Sequence, residues 1–434
     1  MFWQTHTQES MTNNNIAIRA SIFHFLSKDK HEYFEDGLLV VINGLVREMG
    51  NAKDLLEKWK GIIPFQDERG KLLMPGFIDG HVHAVQNGVI ASYGTQLLDW
   101  LRNFTFPFEA QFQDAEFSKK SIDIFFQELI KNGTTTAAIY SSVHQQSIED
   151  IMDKGAQLNM RIIAGKTNMD RNAPQELLED SATTLETSKY LIEKYHKHKR
   201  ISYALTPRFA ITSTNKQLRD LGKLKDRYPN IHVQTHISEN TAEIESVKKL
   251  FPERKDYLDV YEHFGLIGKN SLLGHGIHFS QSEWERVKAS NASLVHCPTS
   301  NLFLGSGLFD LKKCLDMDIP IALGSDVGGG TSFSMLKTAA TAYQVAALKG
   351  FKPNAFTMFY LLTLGGASAL GLDHKIGNFQ KGKEADFVII NLQEQDVLAQ
   401  RISESKNLEE SLFALMMLGD DRNIDKVFLM GKSV

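Results

Sequence analysis

Two rhythms of apolar and polar residues alternate along this chain. Between residues 15 and 71 the apolar positions come in short alternating stretches, such as IAIRASIFHF and GLLVVINGLVREMG. Side chains on a strand switch faces with period two, so these stretches read as half-buried strands joined by tight turns. From Pro75 onward the rhythm changes. Short apolar runs that end in polar or glycine-rich residues alternate with longer segments of helical spacing. Eight such runs follow one another: GFIDGHVHA, GTTTAAIYS, RIIAGKTNM, ISYALTPRFA, IHVQTHISE, SLLGHGIHFS, ASLVHCPTSN and IPIALGSDVG. FSKKSIDIFFQELIKN and SQSEWERVKAS exemplify the helical segments between them. This alternation predicts an α/β fold built on a (β/α)8, TIM-like barrel. Two apolar-faced helices, SFSMLKTAATAYQVAAL and FTMFYLLTLGGASAL, follow the eighth run, and the tail returns to strand texture in IGNFQKGKEADFVIIN and KVFLMGKSV. The predicted organisation is a barrel over 75–373 inserted between two chain ends, 1–74 and 374–434, which pair into a small β-sandwich domain. Residues 1–14 are polar and are expected to be frayed.

Composition narrows the picture. The chain has 434 residues, 42% of them hydrophobic, enough for one large core and a smaller one. A net charge of −4 gives no electrostatic case for nucleic acid or an anionic membrane as partner. The one dense basic run, KYHKHKR at 194–200, is expected at a solvated helix C-terminus, where cations suit the dipole. Two cysteines, Cys297 and Cys314, suggest no disulfide framework and fit a reducing cytoplasm. The first residues lack the basic and apolar regions of a signal peptide, and no apolar run reaches the roughly 18 residues of a membrane span.

The candidate chemistry begins at His81-Val82-His83. On a strand the two imidazoles project side by side and can grip one metal ion, and zinc and iron(II) both accept such ligands. In a barrel of this kind chemistry sits at the C-terminal ends of the strands. Run five places His236 there, with Glu239 three residues on; run six places His275, and run eight Asp326. Each has a plain alternative, a hydrogen-bonded strand histidine or a turn-forming aspartate. Together they predict a metal centre of His81, His83, His236 and Asp326. Three imidazoles and a carboxylate leave an open position for water, and zinc lowers the pKa of such a water to about 7. His275 is then expected beside that water, as an orienting group or a base, and Asp326 can also accept the water proton. Glu239 is placed to protonate a substrate and carry the proton to a leaving group; its alternative is a carboxylate at a helix N-terminus. A two-metal site would need a carboxylated lysine on strand four. Run four has none, and Lys166 lies on run three, so a single metal is expected. A nucleobase deaminase with cysteine-bound zinc is excluded, because the chain has no CxxC.

The stretches PGFIDGHVHA, THISEN and GSDVGG resemble the amidohydrolase superfamily, and specifically its aromatic deaminase branch with one metal. HVHAVQ, LLDWLRNFTFPFEAQF, LTPRFAITST, THISENTAEIESVK, HCPTSNLFLGSG and LGDDRNIDKVF are similar to the guanine deaminases within that branch, over roughly residues 70–434. The wording departs from the family just after Gln86, in NGVIASYG, and Ser325 stands where threonine is common. The resemblance implies hydrolytic deamination of guanine to xanthine and ammonia, one Zn2+ per chain with Fe2+ as the other option, and a homodimer. It also implies substrate contacts from His83, Gln86, Arg208, Phe209, His236, Glu239 and Asp326. The residue chemistry suits a purine. Gln86 can donate and accept, Arg208 offers a planar fork, and Phe209 can pack on a flat ring. Their alternatives are an ordinary ion pair for Arg208 and core packing for Phe209. Two other readings stand beside this one. The same site could deaminate or dechlorinate another heterocycle, such as cytosine, a triazine or an adenosine-type nucleoside. A silent barrel serving as a binding subunit would be expected to have lost ligands that this chain retains.

Overall fold

The eight apolar runs become eight parallel strands: Phe77–His83, Thr134–Tyr140, Arg161–Gly165, Ile201–Pro207, His232–Ile237, Ser271–His275, Ser293–His296 and Ile321–Leu323. The structure is a computed structural model and describes residues 14–93 and 96–434. The expected fraying of residues 1–14 therefore falls, Asn14 apart, outside the described residues. Each barrel strand pairs with the next in chain order, as short crossovers through a helix require. The ring closes at its upper rim, where the Asp326 N–H donates to the His81 carbonyl at 2.8 Å and the His83 N–H to the Val327 carbonyl at 3.0 Å. Ile78, Ala138, Ile163, Leu272 and Val295 meet inside the barrel, and Leu370 and Ile376 belong to the same apolar cluster. Small and β-branched residues suit that interior because inward side chains from every strand must share it.

The intervening helices start where the sequence supplies a cap. Asp114 accepts from the Phe117 N–H ahead of Ala115–Lys131, Asp180 caps Ser181–Tyr195, and Thr214 caps Asn215–Arg227. Ser280 and Glu283 form a reciprocal capping box on Gln281–Ser290.

Both chain ends contribute to one seven-stranded mixed sheet. Its order is Lys432–Ser433, Ile424–Leu429, Phe387–Ile390, Phe65–Pro75, Ile16–Ser27, Lys30–Ile42 and Leu45–Asn51. The sheet curls over. The edge strand Leu45–Asn51 meets residues 382–385, with the Val46 N–H donating to the Lys383 carbonyl at 2.8 Å and the Ala385 N–H to Gly44 at 2.9 Å. Its halves thus face a shared core that includes Ile18, Ile22, Leu39, Leu73, Phe387 and Phe428. The predicted sandwich is one sheet folded on itself. The tail also carries two helices the apolar pattern did not announce, Asp396–Ser403 and Leu408–Leu418, and the second packs on the barrel-side helices Met335–Leu348 and Ala355–Leu362.

Charge fastens the sheet to the barrel. The helix over 181–195 ends as the basic run begins, and Lys197 and Lys199 are exposed as expected. Arg200 is the exception. It is buried, its Nη1 donates to the Asn159 carbonyl at 2.6 Å, and its Nε donates to Glu384 at 3.0 Å. It also pairs with Asp386, while Arg161 Nε donates to Glu384 at 2.7 Å. The run is thus not wholly solvated, because its last member sits where strand four leaves the barrel floor beside two carboxylates of the other domain. Replacing Arg200 by Met would leave Asp386 and Glu384 short of a counter-charge in a buried place. The expected loss is about 3–5 kcal/mol of unfolding free energy, measured by chemical denaturation. A loss below about 1 kcal/mol would place the network with ordinary surface pairs.

Candidate active site

The rim is assembled from strands one, five, six and eight. His81 and His83 end the first strand, His236 lies near the end of the fifth, His275 closes the sixth, and Asp326 follows the eighth. His275 and Asp326 have positive φ, 73° and 49°, an unfavourable conformation for residues with a Cβ. Such strain persists where the surroundings over-determine it, and here it turns both side chains toward the barrel axis. Strand six also comes very close to His81: a Cβ on Gly274 would lie 2.8 Å from its ring.

Four donor atoms converge. His81 Nε2 is 3.3 Å from His83 Nε2, which is 3.1 Å from His236 Nε2. Asp326 Oδ1 lies 3.3 Å from both His81 Nε2 and His83 Nε2. Ligands held about 2.0 Å from one zinc ion in tetrahedral directions are about 3.3 Å apart; four of the six donor pairs match that spacing and all lie within 4.8 Å of one another, so the cluster fits a single small divalent cation. The tautomers fit as well. His236 Nδ1 lies 2.7 Å from the Arg208 carbonyl, which fixes its N–H there and leaves the Nε2 lone pair facing the cluster. Burial pushes the His83 imidazole down to about 4 and His236 well below its usual value, which favours the neutral, ligating form. Burial alone would raise the Asp326 carboxyl, but the facing imidazoles, His81 foremost, hold it well below the usual range. A second grouping of His81, His275, Cys297 and Asp326 has its donors within similar reach. Burial pushes the Cys297 thiol far up, and a protonated thiol is a poor ligand.

A cavity opens over this cluster. His83, His236, Glu239, His275 and Asp326 line one part of it, and Gln86, Arg208 and Phe209 also reach it. Leu97, Trp100, Leu101 and Leu304 supply apolar wall. His81 lies beneath, within the donor cluster. Glu239 is not a helix cap: Asn240 caps Thr241–Leu250 and Glu243 completes the capping box, which leaves the Glu239 carboxyl free to face inward. Its Oε1 accepts from Ser306 Oγ at 2.9 Å, and its Oε2 is 3.4 Å from His275 Nε2. Burial, reinforced by the nearby Asp326 charge, pushes Glu239 up to about 8. His275 Nδ1 lies 2.9 Å from Asn301 Oδ1, so its Nε2 faces the cavity, 3.7 Å from Asp326 Oδ2. Phe209 lines the cavity and also belongs to the apolar core. Lys166 is fully buried just beyond strand three and ion-paired with Glu179, so it stays where the strand count put it.

Several neighbours were not among the candidate site residues of the sequence. Tyr140, at the end of strand two, packs its ring 4.5 Å from His81 and 4.7 Å from His83, centroid to centroid. Asp79 accepts from the Ser325 N–H at 3.0 Å and the His81 N–H at 3.2 Å, tying strand one to the turn that carries Asp326. Ser325 Oγ donates to the same carboxylate, so the hydroxyl that serine shares with threonine is in use. Glu109 is fully buried and bonds both Gln86 and Arg208. Its one signal in the sequence is an acid inside the aromatic stretch FTFPFEAQF. The loop after Gln86 begins with the short turn Asn87–Val89, and the Ser92 carbonyl accepts from Trp100 Nε1 at 2.9 Å.

Comparison with known proteins agrees with this geometry. The family model described as "Amidohydrolase family" matches residues 72–434. A guanine deaminase of Escherichia coli is 44% identical over 402 residues, 93% of this chain and 92% of that protein. A solved E. coli guanine deaminase superposes with a TM-score of 0.95 at 42% identity, covering 96% of this chain and 99% of the other. A guanine deaminase from C. acetobutylicum, solved with guanine in its active site, superposes with a TM-score of 0.90 at 34% identity over 97% of this chain and 100% of that one. Barrel, rim and chain-wide similarity agree: this chain is an enzyme of the amidohydrolase family.

Proposed function

We propose that the chain hydrolyses guanine to xanthine and ammonia with one divalent metal ion, Zn2+ or Fe2+, held by His81, His83, His236 and Asp326. The observation that carries the reading is a single cavity that joins the four-donor cluster to an acid, Glu239, buried deeply enough to keep its proton. Gln86 and Arg208 open on the same cavity with the mixed donors and acceptors a purine edge calls for. The support from relatives is the guanine seen in the C. acetobutylicum protein. Lys166 favours one ion over two, because its ammonium is already committed to Glu179.

A divalent cation at this position would supply Lewis acidity, making a nearby water a nucleophile near neutral pH. The side chains do the rest. Gln86 and Arg208 bind the ring edge, and Phe209 packs on its flat face. Asp326 Oδ2 and His275 Nε2 take and hold the proton the water gives up. Glu239 protonates a ring nitrogen, which makes C2 electrophilic. The oxygen adds to C2, and the C2–N bond then breaks. Glu239, reprotonated by the proton held at Asp326 and His275, protonates the exocyclic amino group so that it leaves as ammonia, and the second hydrogen of the former water passes to Glu239 as the C2 carbonyl forms, which restores the protonated acid. His275 is fixed for this by Asn301, which holds its Nδ1–H and leaves Nε2 to accept.

The test is incubation of metal-loaded protein with guanine, following purine absorbance and ammonia release; the expected result is one ammonia per xanthine. Chelation should abolish turnover, and zinc or iron(II) should restore it. Turnover of cytosine, a triazine or an adenosine-type nucleoside but not of guanine would overturn the substrate assignment. Glu239→Gln should lower kcat about a hundredfold or more while metal content stays at the wild-type value. An unchanged kcat would remove the assigned role.

The pH profile has a definite sign. Glu239 is needed with its proton on, and its carboxyl is pushed up to about 8. Activity that depends on this proton should hold below that value and fall as pH rises through it. Burial is the larger cause of the shift and persists with substrate bound. An alkaline limb absent up to pH 10 would show that the proton comes from elsewhere.

A further inference from the structure

We infer that Glu109 is a positioning residue for the ring edge of the substrate, one buried carboxylate that orients both Gln86 and Arg208. The inference rests on the purine reading above and deepens it. Glu109 ends the helical turn Phe106–Glu109, within a helical stretch over 97–113 that includes the π-turn Leu101–Thr105. It is fully buried and stands behind the cavity wall. Its two oxygens are divided: Oε1 accepts from Gln86 Nε2 at 2.8 Å, and Oε2 accepts from Arg208 Nη1 at 2.6 Å.

This arrangement removes an ambiguity. A carboxamide can flip with almost no change of shape, exchanging donor for acceptor. Here the other end of the Gln86 amide is also held, because Gly328 N–H donates to its Oε1 at 3.2 Å. A flip would set the Gln86 carbonyl against the Glu109 carboxylate and its NH2 against the Gly328 N–H. One orientation survives, leaving one N–H and one lone pair in set directions for the ligand. Arg208 is treated likewise. Glu109 takes one of its N–H groups, and the Phe106 ring lies 5.3 Å from its guanidinium carbon, so the plane of the fork is held from two sides. Glu109 also neutralises Arg208. An uncompensated guanidinium in a buried cavity would favour an anion, whereas the pair offers directed donors without net charge. That matches a neutral heterocycle carrying a carbonyl beside a ring N–H. The value of the carboxylate lies in what it aligns.

The test is a comparison of kinetics with guanine, together with xanthine binding by calorimetry, metal content and melting temperature. Glu109→Gln keeps the shape but presents an NH2 to one of two donors. The expected result is a KM about 10- to 100-fold higher with a comparable loss of xanthine affinity. The reacting groups are untouched, so kcat should stay within about fivefold and metal content should not change. In a Gln86→Ala/Arg208→Ala background the same substitution should change kcat/KM by less than about twofold, because its partners are gone. Glu109→Asp keeps the charge but reaches only one partner, and an intermediate KM is expected; it is the deciding variant if Glu109→Gln does not fold. Wild-type KM and xanthine affinity in a folded variant would overturn the inference, as would an equal loss with and without Gln86 and Arg208. A wild type that binds no purine would overturn both readings. A wild type that binds xanthine without turning over guanine would count against the proposed activity alone, and the binding comparison would still decide the role of Glu109.

Discussion

Four side chains able to hold a metal ion share one small volume at the top of the barrel, and much of the structure serves to keep them there. Bringing His81, His83, His236 and Asp326 together, with four of their donor pairs 3.1–3.3 Å apart and all of them within 4.8 Å, strips them of water and sets lone pairs face to face. No isolated strand would tolerate this. The barrel imposes it through the closure between strands one and eight, through Asp79 clasping the turn at Ser325, and through two residues held at positive φ. The Arg161, Arg200, Glu384 and Asp386 network at the opposite end ties the barrel to the folded sheet.

The electrostatics of the cavity divide into three zones set by one variable, burial. At His83 and His236 it favours the neutral form that can donate a lone pair. At Glu239 the same burial, with Asp326 adding to it, keeps a carboxyl protonated into the neutral range. At Arg208 the buried guanidinium is paired with the Glu109 carboxylate, so the two together carry no net charge. One family of physical effects thus acts on the clustered imidazoles, on a carboxyl and on a carboxylate–guanidinium pair around a single cavity.

The parts visible in the sequence were those with a local signature. Barrel strands showed as apolar runs ending in polar residues, and His81 and His83 announced a shared face by their spacing. Asn240 and Glu243 read as a helix start, yet only the coordinates showed that Glu239 is released from capping by them. Arg200 looked like one more solvated cation of a basic run and is buried against two carboxylates of the other domain. Glu109 and Tyr140 gave no spacing at all, because each acts on residues far away in the chain.

By itself the sequence determined the alternation of strand and helix, the pairing of the chain ends outside the barrel, and the residue types capable of metal and proton chemistry. These follow from side-chain periodicity and donor chemistry, which are local properties. The tertiary structure decided which donor atoms converge, which carboxyl is buried beside them and which carboxylate bonds both Gln86 and Arg208. Those outcomes depend on through-space distance and on the exclusion of water, and neither exists until the ring of strands has closed.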